Sequence, residues 1–90
     1  MEHYFNIIIL DSCGDFYEEM CEKFDDVRVA GKKVLEMKQH DKELGSEYGV
    51  WDYRIVEHEE TETEDLYQIW KLYKYRGIWK VKPDYEYVWR

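Results

Sequence analysis

Leu66–Arg76 reads L-Y-Q-I-W-K-L-Y-K-Y-R, and its conformation decides the fold. A helical reading places Leu66, Ile69, Trp70 and Tyr73 on one stripe. Thr61 and Glu64 are spaced as a capping box, acids precede, bases follow, and Gly77 can stop the helix. An extended reading places Tyr67, Ile69, Lys71, Tyr73 and Tyr75 on one face and Leu66, Gln68, Trp70, Leu72 and Lys74 on the other. Composition favours the strand: four aromatics and one Ile in eleven residues suit a pleated surface.

The neighbouring segments follow from that choice. Val50–His58 (V-W-D-Y-R-I-V-E-H) is β-branched and aromatic, so it pairs as the first arm of a hairpin. Ile78–Val81 and Tyr85–Trp89 read as further strands, with Lys82-Pro83-Asp84 as a turn. Near the start, Tyr4–Leu10 is a continuous apolar run, the pattern of a buried strand. Cys13, Phe16, Tyr17, Met20, Cys21 and Phe24 then recur at helical spacing, with Ser12 as cap and Asp25-Asp26 as exit. Val27–Ala30 reads as a short strand, Gly31 as a turn and His40–Gly49 as a loop; Lys32–Gln39 fits a helical turn through Val34 and Met37 or a strand face of Lys33, Leu35, Met37 and Gln39, and the returning strand is the preferred reading. The expected architecture is a single α+β domain over residues 1–90, with one amphipathic helix packed on a mostly antiparallel twisted β-sheet.

Ninety residues leave no room for a second core. Nine Tyr, four Trp and three Phe argue against a disordered acidic tail, which would be poor in rings. The run His3–Leu10 is too short and lacks the basic flank of a signal peptide, and no apolar run reaches the roughly 20 residues of a membrane span. The expectation is a soluble, cytoplasmic protein that does not engage a membrane. Cys13 and Cys21 lie eight residues apart, about 12 Å along a helix, too far for a disulfide.

The net charge of −8 is distributed in blocks. Residues 1–26 carry −7, residues 27–42 carry +3, residues 43–65 carry −8 and residues 66–90 carry +4. The densest block is Glu57–Asp65, E-H-E-E-T-E-T-E-D, with six carboxylates in nine residues and no Lys or Arg. It has neither the central Gly nor the ligand spacing of a calcium loop, so no metal or cofactor is expected from motif. Cys13 at a helix start is the one candidate nucleophile, but the three histidines fall in no motif with it, so no enzyme is expected. Gly45–Gly49 lacks the Lys of a phosphate loop.

The expected chemistry is electrostatic binding. Glu57, Glu59, Glu60, Glu62, Glu64 and Asp65 are the candidate contacts, with Glu18, Glu19 and Glu22 in support from the expected helix. Two such rows on one face would compete for a DNA-binding groove. Acidity of this kind argues against direct binding of duplex DNA. In being small, acidic, aromatic-rich and cysteine-poor, the chain resembles phage-encoded host-takeover inhibitors, including DNA mimics. That resemblance implies a non-enzymatic inhibitor in the host cytoplasm. Its partner would be a basic nucleic-acid-binding protein: a histone-like nucleoid protein, a nuclease or a polymerase. An anti-CRISPR-type inhibitor acting by shape shares the composition, and a homodimer is compatible with it. The alternative lies at the other end of the chain. Residues 66–90 interleave eight aromatics with six bases, a pattern that suits a single-stranded nucleic-acid platform built on Trp70, Trp79 and neighbouring bases.

Overall fold

The computed structural model describes residues 2–44 and 52–87. The element order is β1 (Glu2–Leu10), β2 (Phe16–Glu19), α1 (Val27–Leu44), β3 (Asp52–Glu60), β4 (Asp65–Tyr75) and β5 (Ile78–Pro83). The strands form one antiparallel sheet in the order β2-β1-β3-β4-β5, and α1 packs on one face. The α+β class expected from the sequence is therefore the fold. No helix among the described residues is long and apolar enough to cross a membrane.

The helix lies elsewhere than expected. Residues 13–24, with their helical stripe, instead form a turn and an edge strand. The Asp11 carboxylate accepts hydrogen bonds from the amides of Cys13 and Asp15, and Gly14 takes a φ of +85°. This tight turn folds the chain back on β1, with Ile8 opposite Glu19 and Ile9 opposite Glu18. The Met20 amide donates to the Ile7 carbonyl, and Phe24 bridges Phe5. An unpaired edge of β1 would leave its backbone groups without partners, so pairing overrides the helical pattern. Phe16 and Tyr17 of the supposed stripe end up exposed. Cys13 and Cys21 are exposed free thiols, and Cys13 has no helix N-terminus behind it.

The two strands expected over 27–39 are one helix. Asp26 is its cap, not the exit of an earlier helix: its carboxylate accepts from the Arg28 amide at 2.8 Å and its carbonyl from Ala30 at 3.2 Å. A carboxylate at that end also suits the helix dipole. Val27, Ala30, Val34 and Met37 then face the sheet at helical spacing. Gly31, expected as a turn, lies inside the helix, where it meets β5. A Cβ there would come within 2.9 Å of Val81 Cγ1. The expected loop from His40 is helical as far as Leu44, and its remainder, 45–49, lies outside the described residues.

The strand register sorts the side chains. One face carries Phe5, Ile7, Tyr53, Ile55, Trp70 and Leu72 under α1. The other buries Ile8, Leu10, Val56 and Ile69, with Tyr87 packed against them. The expected strand 85–89 is not formed over its described part. There Asp84 ends β5 and folds the chain over this second core: its carboxylate accepts from the Glu86 and Tyr87 amides, and its own amide donates to the Ile69 carbonyl. Residues 88–89 lie outside the described residues.

Candidate functional site

The two charged ends of the sheet are separated along β4. The β3–β4 turn lies at one end and the β4–β5 turn at the other. Ten steps from Asp65 to Tyr75 cover about 34 Å at strand rise. The edge strands β2 and β5 stand four strand spacings apart, about 19 Å. Both distances exceed the Debye length of about 8 Å at physiological ionic strength, so each end acts on a ligand largely by its own charge.

At the acidic end, the run 57–65 is mostly strand. Only Thr61–Glu64 forms the turn, held by Thr61, whose Oγ1 accepts from the Glu64 amide at 3.0 Å. Pleating divides the run between faces. Glu57 lies on the helix side, where it accepts from Trp70 Nε1 at 2.9 Å and meets His3 Nε2 at 2.6 Å. Glu60 and Asp65 lie on the opposite side, in register with Glu2. Glu60 accepts from the Tyr4 hydroxyl at 3.1 Å, and Glu2 is paired with Lys23 at 2.8 Å. Burial, followed by that Glu60 contact, pushes the Tyr4 hydroxyl up to about 12. Glu59, Glu62 and Glu64 are exposed, and among the described residues no cation lies within ion-pair distance of them.

The next row across the sheet is Tyr4, His58 and Tyr67. His58 is 2% exposed, stacked on Tyr4 at 4.4 Å and edge-on to Tyr67 at 5.0 Å. Its Nε2 meets Asn6 Oδ1 at 2.8 Å, and its Nδ1 faces Asp65 Oδ2 at 3.7 Å. Asn6 in turn donates to Glu19 Oε1 at 2.8 Å and to the Met20 carbonyl at 3.2 Å.

The basic end is the β4–β5 hairpin. Between Leu66 and Pro83 there is no acid, and five bases stand there: Lys71, Lys74, Arg76, Lys80 and Lys82. Among the described residues none of the five lies within ion-pair distance of a carboxylate. Lys71 sits directly opposite Lys82, Tyr73 opposite Lys80, and Tyr75 opposite Ile78. A directly opposed lysine pair is unfavourable in a sheet, where an acid at either position would stabilise. The rings are not core: Tyr75 is 49% exposed and Trp79 is 42% exposed. Cations lie over them, Lys82 at 4.7 Å from the Tyr73 centroid, Lys80 at 5.5 Å from Tyr75 and Lys74 at 5.6 Å from Trp79. Where the hairpin meets α1, a groove of about 400 Å³ is lined by apolar Leu72, Val81 and Trp79 and by the cations Arg28, Lys32 and Lys80.

The nine acidic residues picked from sequence are therefore split. Glu59, Glu62 and Glu64 form an exposed tip. Glu57, Glu60 and Asp65 are drawn into side-chain contacts behind it. Glu18 and Glu22 are exposed on the β2 edge segment, not on a helix, and Glu19 is tied to Asn6. Of the two tryptophans picked for stacking, Trp79 is exposed, whereas Trp70 packs against the core and is bonded to Glu57. Sequence reasoning missed Arg28 and Lys32, which only the helix brings beside Trp79. It also missed the grouping of His58 with Glu60 and Asp65. The signal for that grouping was an H-x-E on one strand followed by a four-residue turn and an acid. Compared with protein-family models, curated proteins and solved structures, the chain matches none.

Proposed function

We propose that this protein is a non-enzymatic binding module for single-stranded nucleic acid, engaged through the β4–β5 hairpin and the adjoining groove. The observation that carries this reading is the set of five hairpin cations, none within ion-pair distance of a carboxylate among the described residues, interleaved with exposed rings. Phosphates take the ammonium and guanidinium groups. Bases stack on Trp79 on the helix side of the hairpin and on Tyr75 on its other side, each stacked base contributing about 1–3 kcal/mol. The groove beside Trp79 is apolar along Leu72 and Val81 and carries Lys32 and Arg28, the latter also paired with Asp26, which suits one base with its phosphate. The acidic β3–β4 turn lies beyond a screening length from the hairpin tip, whereas the nearer acids Asp26 and Asp84 are paired with Arg28 and Arg54. Anisotropy of a labelled oligothymidylate at about 50 mM salt tests the reading, this being the regime where phosphate contacts are strong. Trp79→Leu should weaken binding about tenfold, the loss of one stacked base. Absence of binding by the unaltered protein would end the proposal.

The acidic end supports a second reading, that of a charge mimic of DNA directed at a basic nucleic-acid-binding protein. Its specific support is the exposed tip of Glu59, Glu62 and Glu64. Two parallel rows on one face do not form, because pleating splits the run and the expected helical row is an edge strand. The contact is then a protruding acidic hairpin instead of a broad face. Reversal of these three glutamates to lysine should abolish capture of a histone-like nucleoid protein at low salt. Unchanged capture would remove this reading.

A further inference from the structure

We infer that the outer edge of β5 is a docking site for an extended acidic segment of a partner protein, which joins the sheet as a further antiparallel strand. This goes beyond the nucleic-acid reading, because it uses the backbone of β5, which bases and phosphates do not need.

The edge itself is the first observation. Among the described residues β5 ends the sheet and pairs with β4 alone. The turn Arg76-Gly77, with φ of 50° and 78°, closes Tyr75 on Ile78, so the Ile78 amide faces β4. Alternation along an antiparallel ladder then turns the amides and carbonyls of Trp79 and Val81 outward. Among the described residues no backbone hydrogen bond from beyond the β4 ladder reaches either one. Such a row of outward groups is a template for another strand.

The groove beside that edge is the second. Trp79 and Val81 line it from the sheet, and Lys32 and Leu35 line it from α1. Residues of an added strand that lie opposite Trp79 and Val81 project to the same side, into this space of about 400 Å³. Apolar side chains suit those positions, against Leu35, Leu72 and Val81.

The third observation fixes the charge of the occupant. Lys80 and Lys82 project to the other side of the strand, about 6.8 Å apart. Among the described residues neither lies within ion-pair distance of a carboxylate. A strand with acids at alternate residues sets one opposite each lysine, the stabilising cross-strand arrangement. A second β5 would instead set lysine against lysine, the device by which exposed edges avoid pairing with themselves. The partner segment therefore alternates acidic and apolar residues.

The test uses the unaltered protein and an acetylated, amidated octapeptide of alternating Glu and Val, with amide hydrogen exchange read by NMR. At saturating peptide the Trp79 and Val81 amides should exchange about tenfold more slowly, while Lys80, turned towards β4, changes little. Methylation of the valine nitrogens, which would face β5, keeps the charge and should abolish the protection. Lys80→Glu with Lys82→Glu, both exposed, should weaken the peptide about tenfold, the loss of two cross-strand pairs. The site is overturned by a lack of protection at these two amides, by equal binding of the methylated peptide, or by equal binding of an octapeptide of alternating Lys and Val. Protection that grows with protein concentration alone would give the edge to a second copy and equally overturn it. Oligothymidylate binding without peptide binding would remove this site and leave the nucleic-acid reading standing.

Discussion

Arg54 donates from Nε to the Asp84 carboxylate at 2.8 Å and from Nη1 to Asp52 at 2.7 Å, so a strand in the middle of the sheet anchors the start of the C-terminal segment. Asp84 is 5% exposed. Its remaining lone pairs accept from the Glu86 and Tyr87 amides. These contacts keep Tyr87 over Ile8, Leu10, Val56 and Ile69. Asp84→Ala strands the Arg54 charge and loosens that cover. It should cost about 3 kcal/mol, within the range for breaking a buried pair, measurable as a lower urea midpoint.

The same pair sets part of the acid limit. Burial pushes the Asp84 carboxyl up, but the Arg54 hydrogen bond and charge, with the Glu86 amide, outweigh it and hold it below its ordinary 3.8. A carboxyl depressed in the folded state stabilises fully above its unfolded value. That contribution is lost as pH falls through the folded value. Stability should therefore decline below about pH 4, the ordinary range of an unfolded aspartate. In Asp84→Asn the decline should be shallower, as read by urea unfolding at pH 5, 4, 3 and 2.

Gly31 permits α1 to lie against Val81. Gly31→Ala would gain about 1 kcal/mol of helix propensity, but its Cβ meets a stiff β-branched side chain at 2.9 Å. Overpacking of this sort costs about 1–3 kcal/mol, so the single variant should be less stable than the parent. In a Val81→Ala background the same change should become stabilising. A double-mutant cycle by thermal unfolding measures this, and additive effects would contradict the contact.

Asp26 caps α1. Asp26→Ala should cost about 1 kcal/mol, whereas Asp25→Ala, one residue earlier and exposed, should change stability by less than about 0.5 kcal/mol. Denaturation followed by far-UV circular dichroism separates the two.

Strands were legible where local chemistry and pairing agree. The apolar run of β1 and the aromatic, β-branched β3 and β4 could be read directly, and so could the hairpin joining β3 to β4. The helix was not, for two reasons. Phe16, Tyr17, Met20 and Phe24 carry helical spacing by accident: Phe16 and Tyr17 turn outward on an edge strand, while Met20 and Phe24, beyond that strand, pack against the core. Val27, Ala30, Val34 and Met37 carry a genuine stripe, interrupted by a glycine whose purpose is visible only against Val81. Asp25-Asp26, at the wrong end for a helix exit, was the clue to an entrance. The basic block was legible as composition, but exposure of Trp79 and burial of Trp70 depend on where α1 ends on the sheet. The grouping of His58, Glu60 and Asp65 depends on cross-strand register, which charge and spacing alone do not supply.

Backbone amide shift mapping on addition of an unlabelled oligothymidylate at low salt tests the central claim most directly. The account predicts perturbations at Lys71–Lys82 and along Arg28–Leu35, with little change at Glu57–Asp65. A spectrum left unchanged by the oligonucleotide, or changes confined to the acidic end, would contradict it.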